Sequence, residues 1–202
     1  TVDFTDSLRA GTSAMKAALD DINAGSAKRV LVAAADRRVP PPDSEFESIF
    51  GDGAAAFLLA ASDVAVEIEG SHSITSDFID IWRREQDPYV HTWEDRFVLT
   101  HGYQEIAQKA ISELMRKCDL SPKDFTKAIF YAPNARAHAT LARALGFDLK
   151  TQVQDPMFAT VGNSGTAFAP MMLVAALEEA KPGDRLLLAN YGDGCDCYIL
   201  RV

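Results

Sequence analysis

The chain has 202 residues, 48% hydrophobic and 24% charged, with 29 acidic against 20 basic side chains and a net charge of −9. That composition describes a globular protein with room for a core, and its acidic balance lacks the basic footprint needed to bind a long nucleic acid. No apolar run is as long as a membrane-spanning helix, and three cysteines are too few, and odd in number, for a disulfide framework, which fits a reducing cytoplasm.

Residues 1–20 lack the basic-then-apolar pattern of a secretory signal. Thr12-Ser13 precedes Ala14, Met15, Ala18, Leu19 and Ile22, and Gly25 follows, which predicts a capped amphipathic helix. Residues 28–36 and 54–60 read as buried strands, separated by the stiff Pro40-Pro41-Pro42 loop and the Phe50-Gly51-Asp52-Gly53 turn. Val64 to Glu69 alternates and predicts a half-exposed strand. Residues 76–100 hold both tryptophans and a scatter of acids with weak periodicity, and read as a surface excursion that covers a site.

Regular structure resumes at His101 with a helical stripe of Ile106, Ala107, Ala110, Ile111, Leu114 and Met115. Ser121-Pro122 reads as a new helix start, 127–131 as a strand, and 135–145 as a helix stopped by Gly146. Ser164 to Ala180 is apolar almost all round, so that helix is expected between layers. Residues 185–191 and 197–202 are strands around the Gly192-Asp193-Gly194 turn. Strands and helices alternate, so the class is α/β with a sandwiched central helix. The sequence helix, strand, Gly-Asp-Gly turn, strand occurs at 12–60 and again at 164–202.

That duplicated plan resembles the thiolase superfamily. Arg9-Ala10-Gly11-Thr12-Ser13-Ala14-Met15, Asp36-Arg37, Pro41, Glu45 and Phe50-Gly51-Asp52-Gly53-Ala54-Ala55-Ala56 are similar to 3-hydroxy-3-methylglutaryl-CoA synthase of the archaeal and bacterial type, with ketoacyl synthase III the next cousin. Ile81-Trp82-Arg83-Arg84, Phe130-Tyr131-Ala132-Pro133-Asn134, Leu145-Gly146-Phe147, Val161-Gly162-Asn163-Ser164-Gly165 and Tyr191-Gly192-Asp193-Gly194 continue the series in order. The resemblance implies a layered αβαβα fold, its C-terminal half (63–202) complete and its N-terminal half (1–62) partial. The strands that precede the nucleophile in the family have no counterpart before Thr1, so the first sheet is expected to be unable to complete itself.

The resemblance also marks two departures. The family's acyl-accepting Cys lies just before the basic-Ala-Gly-Thr segment, at a helix N-terminus that lowers a thiol pKa; here the position is Leu8. The family's His sits two residues before the Pro-Asn pair; here it is Tyr131, whose phenol is a poor base near neutral pH. Asn163 remains, as do Gly192 and Gly194 of the loop that offers a backbone donor to an oxyanion. Arg136 falls where the family has a basic residue near the pantetheine tunnel mouth, and is the candidate for a CoA phosphate contact.

Cys195 is a speculative substitute nucleophile, weighed against burial of Cys195 and Cys197 on one strand face; no spacing completes a zinc set around them. His138 is placed on a solvent-facing helix surface, and Arg37-Arg38 and Arg83-Arg84 on solvated loops. Asp36 reads as a salt-bridge partner or a turn cap. The expected role is a non-catalytic subunit of an acyl-CoA acyltransferase or thiolase assembly. The alternatives are a condensing enzyme with rewired residues and a plain acyl-CoA binding protein. No covalent cofactor is expected, and acyl-CoA is the implied ligand. The implied partners are a thiolase-like chain and a zinc-ribbon/OB-fold chain, in a homo- or hetero-oligomer.

Overall fold

A computed structural model of the chain describes residues 1–5 and 7–202. The first half contributes helix α1 (Ala10–Asn23) and strands β1 (Arg29–Asp36) and β2 (Gly53–Ala60), which pair antiparallel with Val32 opposite Phe57. The second half opens with β3 (Glu67–Thr75). A small hairpin, β4 (Ile81–Trp82) and β5 (His91–Thr92), and the single turn α2 (Asp95–Phe97) follow. Wide π-helical turns over 98–104 lead into α3 (Glu105–Lys117). Then come β6 (Lys127–Phe130), α4 (Ala135–Leu145), α5 (Phe168–Glu179), β7 (Arg185–Tyr191) and β8 (Gly194–Arg201). These strands form a four-stranded sheet in the order β3-β8-β7-β6, with β6 parallel to β7 and the other pairs antiparallel.

The core lies where the two sheets share α5. This helix contacts β2 on one side and β6 and β7 on the other. Phe168, Ala169, Pro170, Met172, Leu173 and Ala176 are buried, and no residue of the helix is exposed before Glu178. The all-round apolar sequence is therefore used as expected, in a helix that starts at Phe168 after a 3-10 turn at Gly165–Ala167. The order α1-β1-turn-β2 recurs as α5-β7-turn-β8, each with its two strands paired antiparallel.

The first-half strands are not buried as their composition suggests. β1 and β2 form a two-stranded sheet whose outer face is open, with Leu31 70% and Leu58 63% exposed. The alternating strand begins at Glu67 rather than Val64 and runs on to Thr75, because pairing with β8 overrides the polar Gly70-Ser71-His72-Ser73 stretch. The stripe expected from His101 becomes a regular helix at Glu105. Ser121 starts only a single 3-10 turn, with a reciprocal cap between Ser121 and Asp124. Helix α4 has the ends its sequence promised: Asn134 accepts from the Ala137 N–H at 2.8 Å, and Gly146 stops it at φ 85°.

Candidate functional site

The start of α1 is bolted to the β7–β8 turn. The Arg9 guanidinium reaches Asp196 at 2.9 Å and Asp193 at 3.3 Å. The other carboxylate oxygen of Asp196 accepts from Thr12 Oγ1 and Ser13 Oγ, each at 3.0 Å. Asn190 Nδ2 donates to the Leu8 carbonyl at 3.2 Å, and Tyr198 donates to that of Thr12 at 2.7 Å. The Gly11 N–H donates to Thr166 Oγ1 at 2.8 Å. These bonds hold Leu8 at the mouth of α1.

Opposite, Asn163 is held by its backbone. Its N–H donates to the Ile49 carbonyl at 2.6 Å and its own carbonyl accepts from Gly51 at 3.1 Å. Gly162 precedes it at φ 82°, where a Cβ would lie 2.9 Å from the Phe50 carbonyl. Leu8, Tyr131 and Asn163 thus line one small cavity of about 100 Å³. The three positions singled out by the resemblance are brought together, although more than 120 residues separate Leu8 from Tyr131 in sequence.

The chemistry of that cavity is closed on itself. Asn163 Oδ1 accepts from the Gly165 N–H and from Arg38 Nη1, both at 3.0 Å. Its Nδ2 donates to Tyr131 Oη and to the Ala132 carbonyl, both at 3.2 Å. The amide's two donors and two acceptor positions are therefore all used within the protein. Tyr131 is buried, and burial raises its phenol pKa against the pull of Arg38, so it stays protonated and offers no base.

Arg38 and Asp80 are the site residues that sequence reasoning missed. Arg38 does not sit on a solvated loop; only 7% of it is exposed, and its guanidinium lies 3.8 Å from the Phe50 ring centroid. The usable signal was its spacing from Asp36, since residues two apart in an extended chain face the same way. Arg37, between them, points out, with its side chain 81% exposed. Asp80 comes from the 76–100 excursion and is buried in the cavity wall. Burial raises its carboxyl pKa, while the Tyr191 hydroxyl, two backbone N–H groups and the Arg38 charge oppose that rise. The Tyr191 hydroxyl lies toward this carboxylate without a well-aligned hydrogen bond.

Other expected residues fall elsewhere. Cys195 is fully buried, 3.7 Å from Cys197 Sγ, and does not line that cavity, a placement that fits the buried strand-face reading weighed against the nucleophile. Gly192 donates its N–H to the Gly194 carbonyl at 3.0 Å, and a Cβ there would meet Leu8 at 2.9 Å, so this amide is not available to an oxyanion. At Gly194, φ 136°, a Cβ would lie 2.0 Å from the Ile74 carbonyl. Asp36 proves to be a turn cap, accepting from the Thr166 N–H at 3.2 Å. His138 is buried beside Phe130 with Nε2 unpartnered, not solvent-facing. Arg136 is exposed at the start of α4 and lines a cleft of about 920 Å³ with Arg96, Leu99, Tyr103 and Phe158. Among the described residues, no three His, Cys, Asp or Glu side chains come together to hold a metal ion.

Comparison with known proteins fits this geometry. The sequence model of 3-oxoacyl-[acyl-carrier-protein (ACP)] synthase III matches residues 2–79, and that of its C-terminal region matches 115–201. The hydroxymethylglutaryl-CoA synthase of Methanopyrus kandleri is 34% identical over 192 residues, 95% of this chain and 55% of that protein. The chain belongs to the thiolase superfamily, as a 3-hydroxy-3-methylglutaryl-CoA synthase-like protein. The Thermococcus sibiricus synthase is 32% identical over 194 residues, again 95% of this chain and 55% of the relative. The chain thus spans about half the length of these relatives.

Solved structures agree on the fold. The 3-oxoacyl-[acyl-carrier-protein] synthase III of Aquifex aeolicus superposes with a TM-score of 0.86 at 22% identity, covering 99% of this chain and 66% of that one. A structure of HMG-CoA synthase complexed with CoA gives 0.83 at 18% identity, covering 98% and 55%. The layered thiolase-like α/β arrangement inferred from the sequence is therefore shown, with the chain as a part of it. No helix is long and apolar enough to cross a membrane among the described residues.

Proposed function

We propose that this chain is a non-catalytic, synthase-like subunit of an acyl-CoA acyltransferase or thiolase assembly. The carrying observation is the self-satisfied cavity: Leu8 at the acyl-accepting position, with Asn163 saturated by Arg38, Gly165, Tyr131 and Ala132. A hydrocarbon cannot attack a thioester. A buried protonated phenol cannot take a proton at neutral pH, and a fully bonded amide has no donor left for developing charge.

Acyl-CoA, if bound, is held non-covalently. The cleft of about 920 Å³ beside Arg136 is large enough for a pantetheine-like arm, and Arg136 is free in solvent to meet a phosphate. The partners proposed are a thiolase-like chain that does the chemistry and a zinc-ribbon/OB-fold chain that helps hold the acyl-CoA. Such a subunit contributes shape: α5 and the four-stranded sheet stay packed while the former site is filled by side chains.

Titration with acetyl-CoA tests this, read both as equilibrium binding and as covalent mass. Neither an adduct nor tight binding by the chain without partners is expected; tight non-covalent binding, weakened by Arg136→Glu, supports the acyl-CoA binding protein instead. A stable acyl adduct on the unmodified chain supports the rewired condensing enzyme instead.

A further inference from the structure

Between the end of β3 at Thr75 and the start of α2 at Asp95, residues 77–94 form a flap that is braced within itself. Thr92 Oγ1 donates to the Asp80 carbonyl and Trp93 Nε1 to the Ile79 carbonyl, both at 2.8 Å. The Trp82 ring stacks on His91 at 5.9 Å and leans on Trp93 at 5.1 Å, and His91 pairs with Asp87 at 3.3 Å. The backbone ties of the flap to the rest of the protein are slight. Among the described residues, the one such bond within 77–93 runs from the Val90 N–H to the Val39 carbonyl, at a long 3.4 Å. A segment bonded mainly to itself opens as a unit at low cost. The wide π-helical turns over 98–104 follow it, a geometry frequent at functional sites.

The flap supplies Asp80, Ile81 and Thr92 to the wall of the cavity at Leu8, so that cavity is closed only while the flap is down. At the end of the flap, Asp95 meets Glu45 of the single 3-10 turn Glu45–Ser48. Both carboxyls line the inner cavity and the outer cleft, and so stand at the doorway between the two. Both residues are exposed and can exchange protons with solvent. Two carboxyls share a hydrogen bond only when one is protonated; with both ionised they repel. The hydrogen bond with Asp95, and after it the Asp95 charge, raises the Glu45 carboxyl pKa above its ordinary value. Glu94, Arg96 and Arg136 face the pair from the cleft, and Arg38 and Asp80 from the cavity. Arg38 is engaged by Asn163, and Glu94 by the Arg96 and Phe97 N–H groups.

We propose that residues 77–94 are a lid over the cavity at Leu8 and that the Glu45–Asp95 pair is its proton-operated latch. With one proton between them, the two carboxyls hold the lid down. With both ionised, they push it away from the doorway. The sign follows from linkage: a carboxyl whose pKa is raised in the closed state favours closure in acid, and that preference is lost as pH rises through the raised value. The latch works in the same way whether or not the cavity at Leu8 is catalytic.

Both tryptophans of the chain, Trp82 and Trp93, lie in the lid, so intrinsic tryptophan fluorescence reports on it alone. The emission is expected to shift between about pH 4.5 and pH 7.5 in wild type, and to stay flat with Glu45→Gln, which keeps a hydrogen-bonding partner for Asp95 without the repulsion. Access to the cavity is read at about pH 7.5 in Leu8→Cys, as iodoacetamide labelling at position 8 relative to Cys118 in the same sample, by peptide mapping. Adding Glu45→Gln is expected to slow labelling at position 8 by roughly threefold or more while labelling of Cys118 is unchanged. Equal rates at position 8 with and without Glu45→Gln overturn the proposal. So does a fluorescence shift that persists in Glu45→Gln, which assigns the titration to His91 and Asp87 beside Trp82.

Discussion

Arg38 Nη1 donates to Asn163 Oδ1 at 3.0 Å across 125 positions of sequence. The bond ties the loop after β1 to the turn before α5. Arg38→Ala removes that bond and the contact with Phe50, and leaves Asp80 without its nearest buried cation. A loss of about 1–3 kcal/mol of stability is expected, in the range for stranding a buried polar group. Urea denaturation of the variant measures it; an unchanged midpoint would mean that the cation is not holding the site.

A second pinning point is the junction of α1 with the β7–β8 turn. Asp196 is 2% exposed and receives Arg9, Thr12 and Ser13. Arg9→Ala leaves that carboxylate buried without its cation, which is expected to cost about 3–5 kcal/mol. Arg9→Ala combined with Asp196→Asn is expected to be less harmful than the two losses summed. A double-mutant cycle by thermal unfolding reads the coupling, and strict additivity would deny it.

His138 should be visible in the pH dependence of stability. Burial lowers its pKa from 6.5 to about 4. Between those pH values the unfolded chain binds the proton and the folded protein does not, so stability falls as pH drops from 6.5 toward 4. The integrated contribution is up to about 3 kcal/mol. His138→Gln is expected to flatten this limb, measured as the difference from wild type across the window. A parallel pair of curves would mean the imidazole is solvated.

Packing makes a simpler demand. Met172 is fully buried in α5, whereas Glu178 on the same helix is exposed. Met172→Ala is expected to cost about 2–5 kcal/mol, and Glu178→Ala a few tenths of that or less. Equal losses by chemical denaturation would contradict the sandwiched position of the helix.

Much of the scaffold is written locally. Asn134 and Gly146 bound α4 through their own side chain and backbone freedom, and the uniform apolar surface of 168–177 needs no partner to be recognised as buried. The convergence of Leu8, Tyr131 and Asn163 was legible only through the ordered motifs of a family, since no periodicity links them. What was not legible depends on distant chain. Arg38 reads as a solvated loop residue until Phe50 and Asn163 close over it. His138 reads as a surface residue until Phe130 of β6 packs beside it. Asp80 lies in a stretch without periodicity and becomes part of the site only because the excursion folds back, with Thr92 Oγ1 on its carbonyl at 2.8 Å. In β1 and β2 the error ran the other way: apolar composition predicts buried strands, yet among the described residues nothing covers Leu31 and Leu58.

The most direct measurement is the intact mass of the protein after incubation with acetyl-CoA, followed by peptide mapping, for wild type and for Leu8→Cys with Tyr131→His. With no thiol at position 8 and no base at 131, wild type is expected to keep its mass, and the double variant to gain at most a small fraction of one acetyl group, at Cys introduced in place of Leu8, because Arg38 still occupies Asn163. Acetyl on any residue of the wild-type chain contradicts the non-catalytic assignment.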